Sequence, residues 1–207
     1  LVGSEMCIRD STLTVRTTEG KRLIRPEFDH WFAQSRYPEF ALSFYNLIPS
    51  FSFCNSILKN EKETVLDKHI HPYMDTDAGF EFTYNFIGKD TDGKNLYGVD
   101  CNITAVGIKD KRRVKETLEL FRIKEVYNAH AGLELKDLID LATANPGDYI
   151  DELVNHVLAN THLTKEDVFR ILFGVETLPN RYLNRPFSKF KMDIISKIHD
   201  IIINGKK

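Results

Sequence analysis

The chain has 207 residues, of which 42% are hydrophobic and 28% are charged, and its net charge is −2. This composition is typical of a globular protein that buries a core, and it excludes a disordered or strongly basic chain. No apolar run approaches the roughly 18 residues that a membrane helix needs. The three cysteines contain no C-x-x-C pair, which excludes a zinc knuckle and a disulfide framework. We therefore expect a cytoplasmic protein with no membrane partner.

The first eleven residues, Leu1–Ser11, resemble translated linker sequence from the ends of environmental sequencing assemblies. Charged residues interrupt every apolar stretch of this run, which excludes a secretory signal. We expect the segment to be non-native and the native protein to begin further upstream. An ordinary frayed N-terminus is the alternative. The remainder, 12–207, is predicted to be a single α+β domain with part of its N-terminus missing.

The N-terminal part contains signals for several short elements. Alternating residues over 12–17, followed by a turn, predict a short hairpin that ends near Ile24. Pro26 and Pro38 each precede a run with helical apolar spacing, and each suits the first turn of a helix. We predict a helix after each proline and a third short helix over 51–58.

The clearest strand pattern runs from Phe80 to Phe86, where aromatic residues alternate with polar ones. A turn at 90–93 and a second strand over 95–108 follow, so we predict a long antiparallel hairpin over about 80–108. The turn also resembles the start of a calcium loop. Its oxygen-ligand series breaks at once, however, so we interpret it as a hairpin turn.

Helical spacing of apolar residues dominates the sequence from Asp110 onward. Thr164 with Asp167 three residues later predicts a capping box at the start of one helix. Strands and helices do not alternate along the chain, which excludes a doubly wound parallel sheet. The sequence therefore predicts an α+β fold: a small antiparallel sheet built on the hairpin, N-terminal helices, and a helical C-terminal half over 130–207.

Histidines and carboxylates cluster in the polar segment before the hairpin. Two histidines two residues apart share one face of an extended segment, and neutral imidazoles with carboxylates suit a divalent zinc, iron or manganese ion. Glu81 and Asp100, on the two hairpin strands, are candidate catalytic carboxylates. An ordinary solvated loop is the alternative for the cluster. The predicted metal ligands are His69, His71, Asp75 and Asp77.

Two basic blocks are separated by an acidic one. Residues 107–125 carry seven Lys/Arg against four Asp/Glu, a net +3, and residues 161–207 carry nine against five, a net +4. Such blocks can contact a phosphate backbone, with Tyr182 and Phe187 as stacking surfaces. A solvated helix start and a polar link are the alternative. The predicted nucleic-acid contacts are Lys111, Arg112, Arg113, Arg181, Arg185 and Lys189.

Motif absences narrow the function further. The sequence has no phosphate-binding P-loop, dinucleotide fingerprint, zincin helix or nucleophile elbow. Asp100 fits one acidic position of a restriction-like metal nuclease, but the Glu-x-Lys expected on the neighbouring strand is absent, so the analogy is one of fold alone. We predict a nucleic-acid-associated protein with metal-dependent, nuclease-like hydrolase activity. The alternative is a non-catalytic structural or protein-interaction domain, which would expose an apolar patch of several hundred Å².

Overall fold

A computed structural model gives the fold of most of the chain. It describes residues 15–16, 22–24, 27–50, 59, 62–75, 78–144, 152, 156, 162–178, 181–182, 185 and 187–204. Backbone alone is described for the residues up to 24, for 130–131, 133 and 165, and for 199–204. Leu1–Ser11, Cys54, Asp77 and the predicted helix over 51–58 therefore lie outside the described residues, and the predictions made for them stay predictions.

The described strands pair two at a time. Each pair is a separate two-stranded sheet, and for the first two sheets the pairing is antiparallel over the residues that face one another. The third sheet is the long hairpin that the alternating aromatic residues predict, closed by a turn in which Asp90 Oδ1 accepts from the backbone N–H groups of Asp92 and Lys94. The strands are β1 Val15–Arg16, β2 Arg22–Ile24, β3 Glu27–His30, β4 Leu47–Ser50, β5 Phe80–Lys89 and β6 Asn95–Ile103.

Four α-helices are described, and all of them follow the hairpin. The third begins with the predicted capping box: Thr164 Oγ1 accepts from the Asp167 backbone, and the Asp167 carboxylate accepts from the Thr164 backbone. Gly174 ends this helix in the left-handed conformation, with φ 62°. The helices are α1 Ile108–Leu120, α2 Ile123–Ala144, α3 Lys165–Phe173 and α4 Ser188–Asn204.

The α+β class, the long hairpin and the helical C-terminal half are confirmed, but the second hairpin strand ends at Ile103, and Ile108, the predicted last residue of that strand, begins α1. None of the described helices is long and apolar enough to cross a membrane. By residue contacts the chain divides into two compact units: unit 1 holds 1–80 and 103–123, and unit 2 holds 81–102 and 124–207. The single domain over 12–207 stays a prediction.

The helix predicted after Pro26 is wrong, because that segment forms strand β3. Its residues pair with β4 from Glu27 opposite Ser50 to His30 opposite Leu47. The apolar spacing that favours a helix also fits a strand that leads into a turn at Trp31. Pairing with a strand about twenty residues away decides between the two, because it satisfies the backbone groups of β3.

The helix predicted after Pro38 is replaced by two 3₁₀ turns, Pro38–Phe40 and Phe44–Asn46. In an α-helix the Phe40 carbonyl would accept from the N–H four residues later. Here it accepts from the Ser43 N–H, three residues later, and from the Asn46 side chain, both at 3.0 Å. The backbone therefore closes a turn of the 3₁₀ type, and a buried side-chain amide is the second donor to the same carbonyl.

Each unit has its own core. In unit 1 the buried apolar side chains include Trp31, Ile48 and Val114. In unit 2, Phe82 from β5 packs against Tyr127 of α2 and Phe190 of α4, with ring centroids 4.4 and 5.3 Å away. The period-two pattern of β5 thus points Phe82 at two amphipathic helices, as expected for a half-buried strand.

Candidate functional site

The predicted histidine ligands are buried structural side chains in unit 1. His69 Nδ1 accepts from the Val65 N–H at 3.1 Å, and His71 Nδ1 accepts from the Tyr73 N–H at 3.2 Å. Burial lowers the pKa of both imidazoles, and it outweighs the nearby carboxylates that raise them. The two rings are therefore neutral, and each uses one nitrogen to shape its own loop.

Asp75 is held by Arg113, which stands on α1. Arg113 Nη2 lies 2.8 Å from Asp75 Oδ2, and Nη1 lies 3.1 Å from Oδ1. The His71 N–H also donates to Oδ2, at 2.6 Å. Burial by itself raises the pKa of Asp75, but the Arg113 and His71 hydrogen bonds outweigh it and lower the pKa. Both carboxylate oxygens are thus occupied by protein donors.

The predicted metal site is not assembled by the described residues. Among them, no three His, Cys, Asp or Glu side chains lie close enough together to hold one ion. Asp77 is outside the described residues, and Glu81 and Asp100 belong to unit 2. Asp100 Oδ1 is bound by Lys124 Nζ at 3.0 Å, and Glu81 is exposed. Metal binding by this set of residues stays a prediction.

Several predicted nucleic-acid contacts are engaged inside their own unit. Arg113 also donates to the carbonyls of Leu66 and His69. In unit 2, the Arg185 guanidinium lies 3.6 Å from Glu176, and Lys189 Nζ lies 2.8 Å from Asp193. By contrast Lys111, Arg112 and Arg181 are exposed, although Arg112 lies 4.0 Å from Glu116 and donates to the Asp67 carbonyl at 3.4 Å. The exposed residues are the better placed of the six to meet a phosphate.

A site that the sequence did not predict lies at the end of β3. His30 is the last residue of the strand, and its ring is half-buried. His30 Nε2 lies 3.0 Å from the carbonyl oxygen of Ala41. Because a carbonyl can only accept, the contact requires a proton on Nε2, which in a neutral imidazole leaves the lone pair on Nδ1. The Ala41 carbonyl therefore favours one neutral tautomer of His30.

Asn46 fixes the loop that carries the Ala41 carbonyl. Its side chain is 3% exposed and makes three hydrogen bonds to the backbone. Oδ1 accepts from the Phe32 N–H at 2.6 Å, and Nδ2 donates to the Phe32 and Phe40 carbonyls at 3.2 and 3.0 Å. The backbone beside Ala41 is thereby tied to the end of β3. One buried amide thus sets the geometry in which His30 meets its carbonyl partner.

A buried ion pair supports the same strand end. Lys59 is 4% exposed, and its ammonium lies 2.7 Å from Asp29 Oδ1. The ammonium also donates to the backbone carbonyl of His30. Burial raises the pKa of Asp29 despite the nearby Lys59 charge. The Lys59 ammonium therefore binds the Asp29 carboxylate and the His30 carbonyl at the same time.

Two exposed aromatic rings follow Ala41 in the loop that Asn46 fixes, and both contact a half-buried third ring; we call Phe44, Tyr45 and Tyr73 the aromatic shelf. Phe44 is 72% exposed and Tyr45 is 66% exposed. Phe44 and Tyr73 are stacked at 5.9 Å with an interplanar angle of 22°, and the Tyr73 hydroxyl donates to the Leu47 carbonyl at 3.3 Å. Tyr45 stands edge-on to both rings, with interplanar angles of 87° to Phe44 and 81° to Tyr73, so the shelf offers aromatic surface in two orientations.

Sequence reasoning missed this site because it assigned the segment after Pro26 to a helix. If His30 were part of a helix, nothing in the sequence would place its ring against the Ala41 carbonyl. The available signal was the polar Asn46 within the apolar run from Phe44 to Ile48. A lone amide in such a run is typically buried and bonded to backbone.

Comparison with known proteins gives one distant relative. The chain is 32% identical over 115 residues to protein ea31 of Escherichia phage lambda. The match covers 54% of this chain and 38% of the phage protein, whose name states no activity. No protein-family model matches the chain, and no solved structure matches it.

Proposed function

We propose that this protein hydrolyses phosphodiester bonds in nucleic acid, with His30 as the general base. The observation that carries the proposal is the bond from His30 Nε2 to the Ala41 carbonyl, which leaves Nδ1 as a proton acceptor. A half-buried imidazole with a fixed tautomer is suited to taking a proton from an attacking water. His69 and His71 are less suited, because they are buried and shape their own loops.

The aromatic shelf supports nucleic acid as the substrate class. Bases stack on exposed aromatic rings, and such stacking tolerates any sequence because every base has a flat face. Tyr45 precedes Asn46, the residue that fixes the His30 loop, and Leu47 accepts from Tyr73. Two of the three shelf residues, Phe44 and Tyr45, therefore belong to the loop whose Ala41 carbonyl contacts the ring of His30.

A divalent cation is part of the proposal, since hydrolysis builds negative charge on the phosphate that a metal ion stabilises. Magnesium commonly uses one or two protein carboxylates and takes its other ligands from water and substrate phosphate. Such an ion does not need a group of three protein ligands.

Phosphate contacts by the exposed basic residues complete the proposal. Lys111, Arg112 and Arg181 present their charges to solvent, and we assign non-specific backbone contact to them. The cytoplasmic location expected from the cysteine content is consistent with a nucleic-acid substrate.

The test is cleavage of labelled single-stranded and duplex DNA and RNA by the parent chain, with and without a chelator. His30→Ala is expected to lose roughly 100-fold or more in rate, because general-base catalysis contributes about that much. His162→Ala, which changes an exposed histidine of unit 2, is the matched control and should cleave as the parent does. Equal cleavage by His30→Ala and the parent, or no cleavage by the parent with any divalent ion, contradicts the proposal.

A protein-interaction role is the second candidate, favoured by large apolar side chains in contact with solvent. Leu42 is 93% exposed, and Val106 and Ile108 are 88% and 91% exposed. A single exposed apolar residue is common on a protein surface and needs no explanation. Leu42, Val106 and Ile108 all belong to unit 1, and it is their accumulation in one unit that favours an interaction role. If docking is the function, Leu42→Ser should lower self-association in sedimentation experiments and leave nucleic-acid cleavage unchanged.

A further inference from the structure

Lys59 is an unusual core residue, because lysine is rarely buried without a reason. An ammonium that leaves water loses a large hydration energy and must regain it from partners. Lys59 has two such partners, the Asp29 carboxylate at 2.7 Å and the His30 carbonyl. Both belong to the last two residues of β3.

A hydrophobic side chain at position 59 would fill the same space without that hydration cost, so burial alone does not explain a lysine here. An apolar side chain would, however, leave the His30 carbonyl without its donor. Unlike an apolar side chain, Lys59 therefore constrains the position of the His30 carbonyl at the end of β3.

His30 is held at two points by different parts of unit 1. Lys59 binds its backbone carbonyl, and the Ala41 carbonyl binds its ring. The strand pairing of His30 with Leu47 adds a third constraint on the backbone. With the backbone fixed, the ring can reach Ala41 in one orientation. Without the Lys59 contact, the strand pairing and the Ala41 carbonyl still hold His30, but its own carbonyl loses the tie to Asp29.

We propose that Lys59 is a positioning residue for His30: its ammonium ties the His30 carbonyl to the Asp29 carboxylate and so sets where the imidazole stands. This inference rests on the proposed function for its effect on catalysis. Its structural part, the orientation of the His30 ring, can be measured without any activity.

The first readout is nuclear magnetic resonance of ¹⁵N-labelled histidine, with the His30 signals assigned by a His30→Gln variant. The parent should show the Nε2–H tautomer. In Lys59→Met the two tautomers should be mixed, and Lys59→Arg, which keeps a donor and a charge, should restore part of the parent spectrum. Because Lys59→Met leaves Asp29 buried and unpaired, the double variant Asp29→Leu/Lys59→Met is measured as well. It removes both charges, and it should show the same mixed tautomers.

The second readout is steady-state cleavage. A misplaced base slows the chemical step, so kcat is expected to fall about tenfold or more while KM changes less than about twofold. An unchanged His30 tautomer in both the single and the double variant overturns the positioning role. If His30→Ala abolishes cleavage but these variants keep the parent kcat, the positioning role falls and the proposed function stands. If the parent does not cleave but the tautomers mix as expected, the proposed function falls and the structural role of Lys59 stands.

Discussion

The two compact units differ in what they bury. Among the described residues, unit 1 buries six polar or charged side chains, whereas Ser188 is the single one in unit 2. Burial of polar groups is costly unless each finds a partner, so such groups are kept where they shape a backbone. The buried polar residues of unit 1 are Asn46, Ser50, Lys59, Thr64, His69 and His71.

This difference indicates that a functional site is to be sought in unit 1. The unit 2 core, built on Phe82, Tyr127 and Phe190, contributes stability through apolar burial. In unit 1 several buried polar side chains fix loops, and one of those loops carries the Ala41 carbonyl that orients His30. Local departure from an apolar core is typical of functional sites.

The largest expected effect tests the apolar core of unit 2. Phe82 is 1% exposed, so Phe82→Ala should lower the free energy of unfolding by about 3–5 kcal/mol. Phe86→Ala on the same strand, where the ring is 57% exposed, is the matched control and should change it by less than about 0.5 kcal/mol.

Urea denaturation followed by circular dichroism measures this difference, because most described helix lies in unit 2. Trp31, the single tryptophan of the chain, is buried in unit 1 and reports on that unit by fluorescence. Phe82→Ala should shift the dichroism midpoint more than the fluorescence midpoint. Equal losses in Phe82→Ala and Phe86→Ala would show that the ring of Phe82 is not part of a core.

The sequence predicted the parts of unit 2 that depend on neighbouring residues. The alternation from Phe80 to Phe86 and the Thr164 capping box are local signals, and both are confirmed. The β3–β4 pairing is not local, because Glu27 meets Ser50 across a long loop. Apolar spacing after Pro26 favours a helix when that partner strand is unknown, so local pattern and tertiary pairing disagree.

The candidate site escaped prediction for the same reason. The role proposed for His30 depends on its contact with Ala41, eleven residues away, and that contact depends on the loop that Asn46 ties. The histidines at 69 and 71 stood out because they are two residues apart in the sequence. Their structural role depends on backbone groups whose positions the sequence does not show.

The next effect in size tests whether Arg113 is a structural residue or a nucleic-acid contact. Its guanidinium is 15% exposed and the Asp75 carboxylate 24%, so Arg113→Met leaves a mostly buried charge without its partner. We expect the free energy of unfolding to fall by about 2 kcal/mol, less than for a fully buried pair. Lys111→Met, two residues earlier on the exposed face of α1, is the control and should change stability by less than about 0.5 kcal/mol.

Binding to a fluorescent oligonucleotide separates the two roles further. Lys111→Met should weaken binding and reduce its salt dependence, because a phosphate contact is lost. A different result would contradict this assignment: Arg113→Met would keep the parent stability and weaken binding more than Lys111→Met. Arg113 would then be a nucleic-acid contact and not a structural residue.

The smallest effect is a pH dependence that arises from the buried imidazoles of unit 1. Burial lowers the pKa of His69 and His71 in the folded chain, whereas a histidine in the unfolded chain has a pKa of about 6.5. As the pH falls below that value, the unfolded state takes up protons that the folded state does not. The free energy of unfolding therefore decreases on acidification, and the decrease stops once the pH is below the folded pKa values.

Urea midpoints from Trp31 fluorescence between pH 8 and pH 5 measure this slope for unit 1. Subtracting the midpoints of the double variant His69→Gln/His71→Gln removes the contribution of the carboxylates, including Asp29, whose pKa is raised by burial. The parent should lose stability relative to the variant as the pH falls, because only the parent has imidazoles that are neutral when folded and charged when unfolded. Parallel curves for the two proteins would mean that the imidazoles titrate alike in both states. The polar interior of unit 1 would then differ from the core of unit 2 in composition but not in its response to acid.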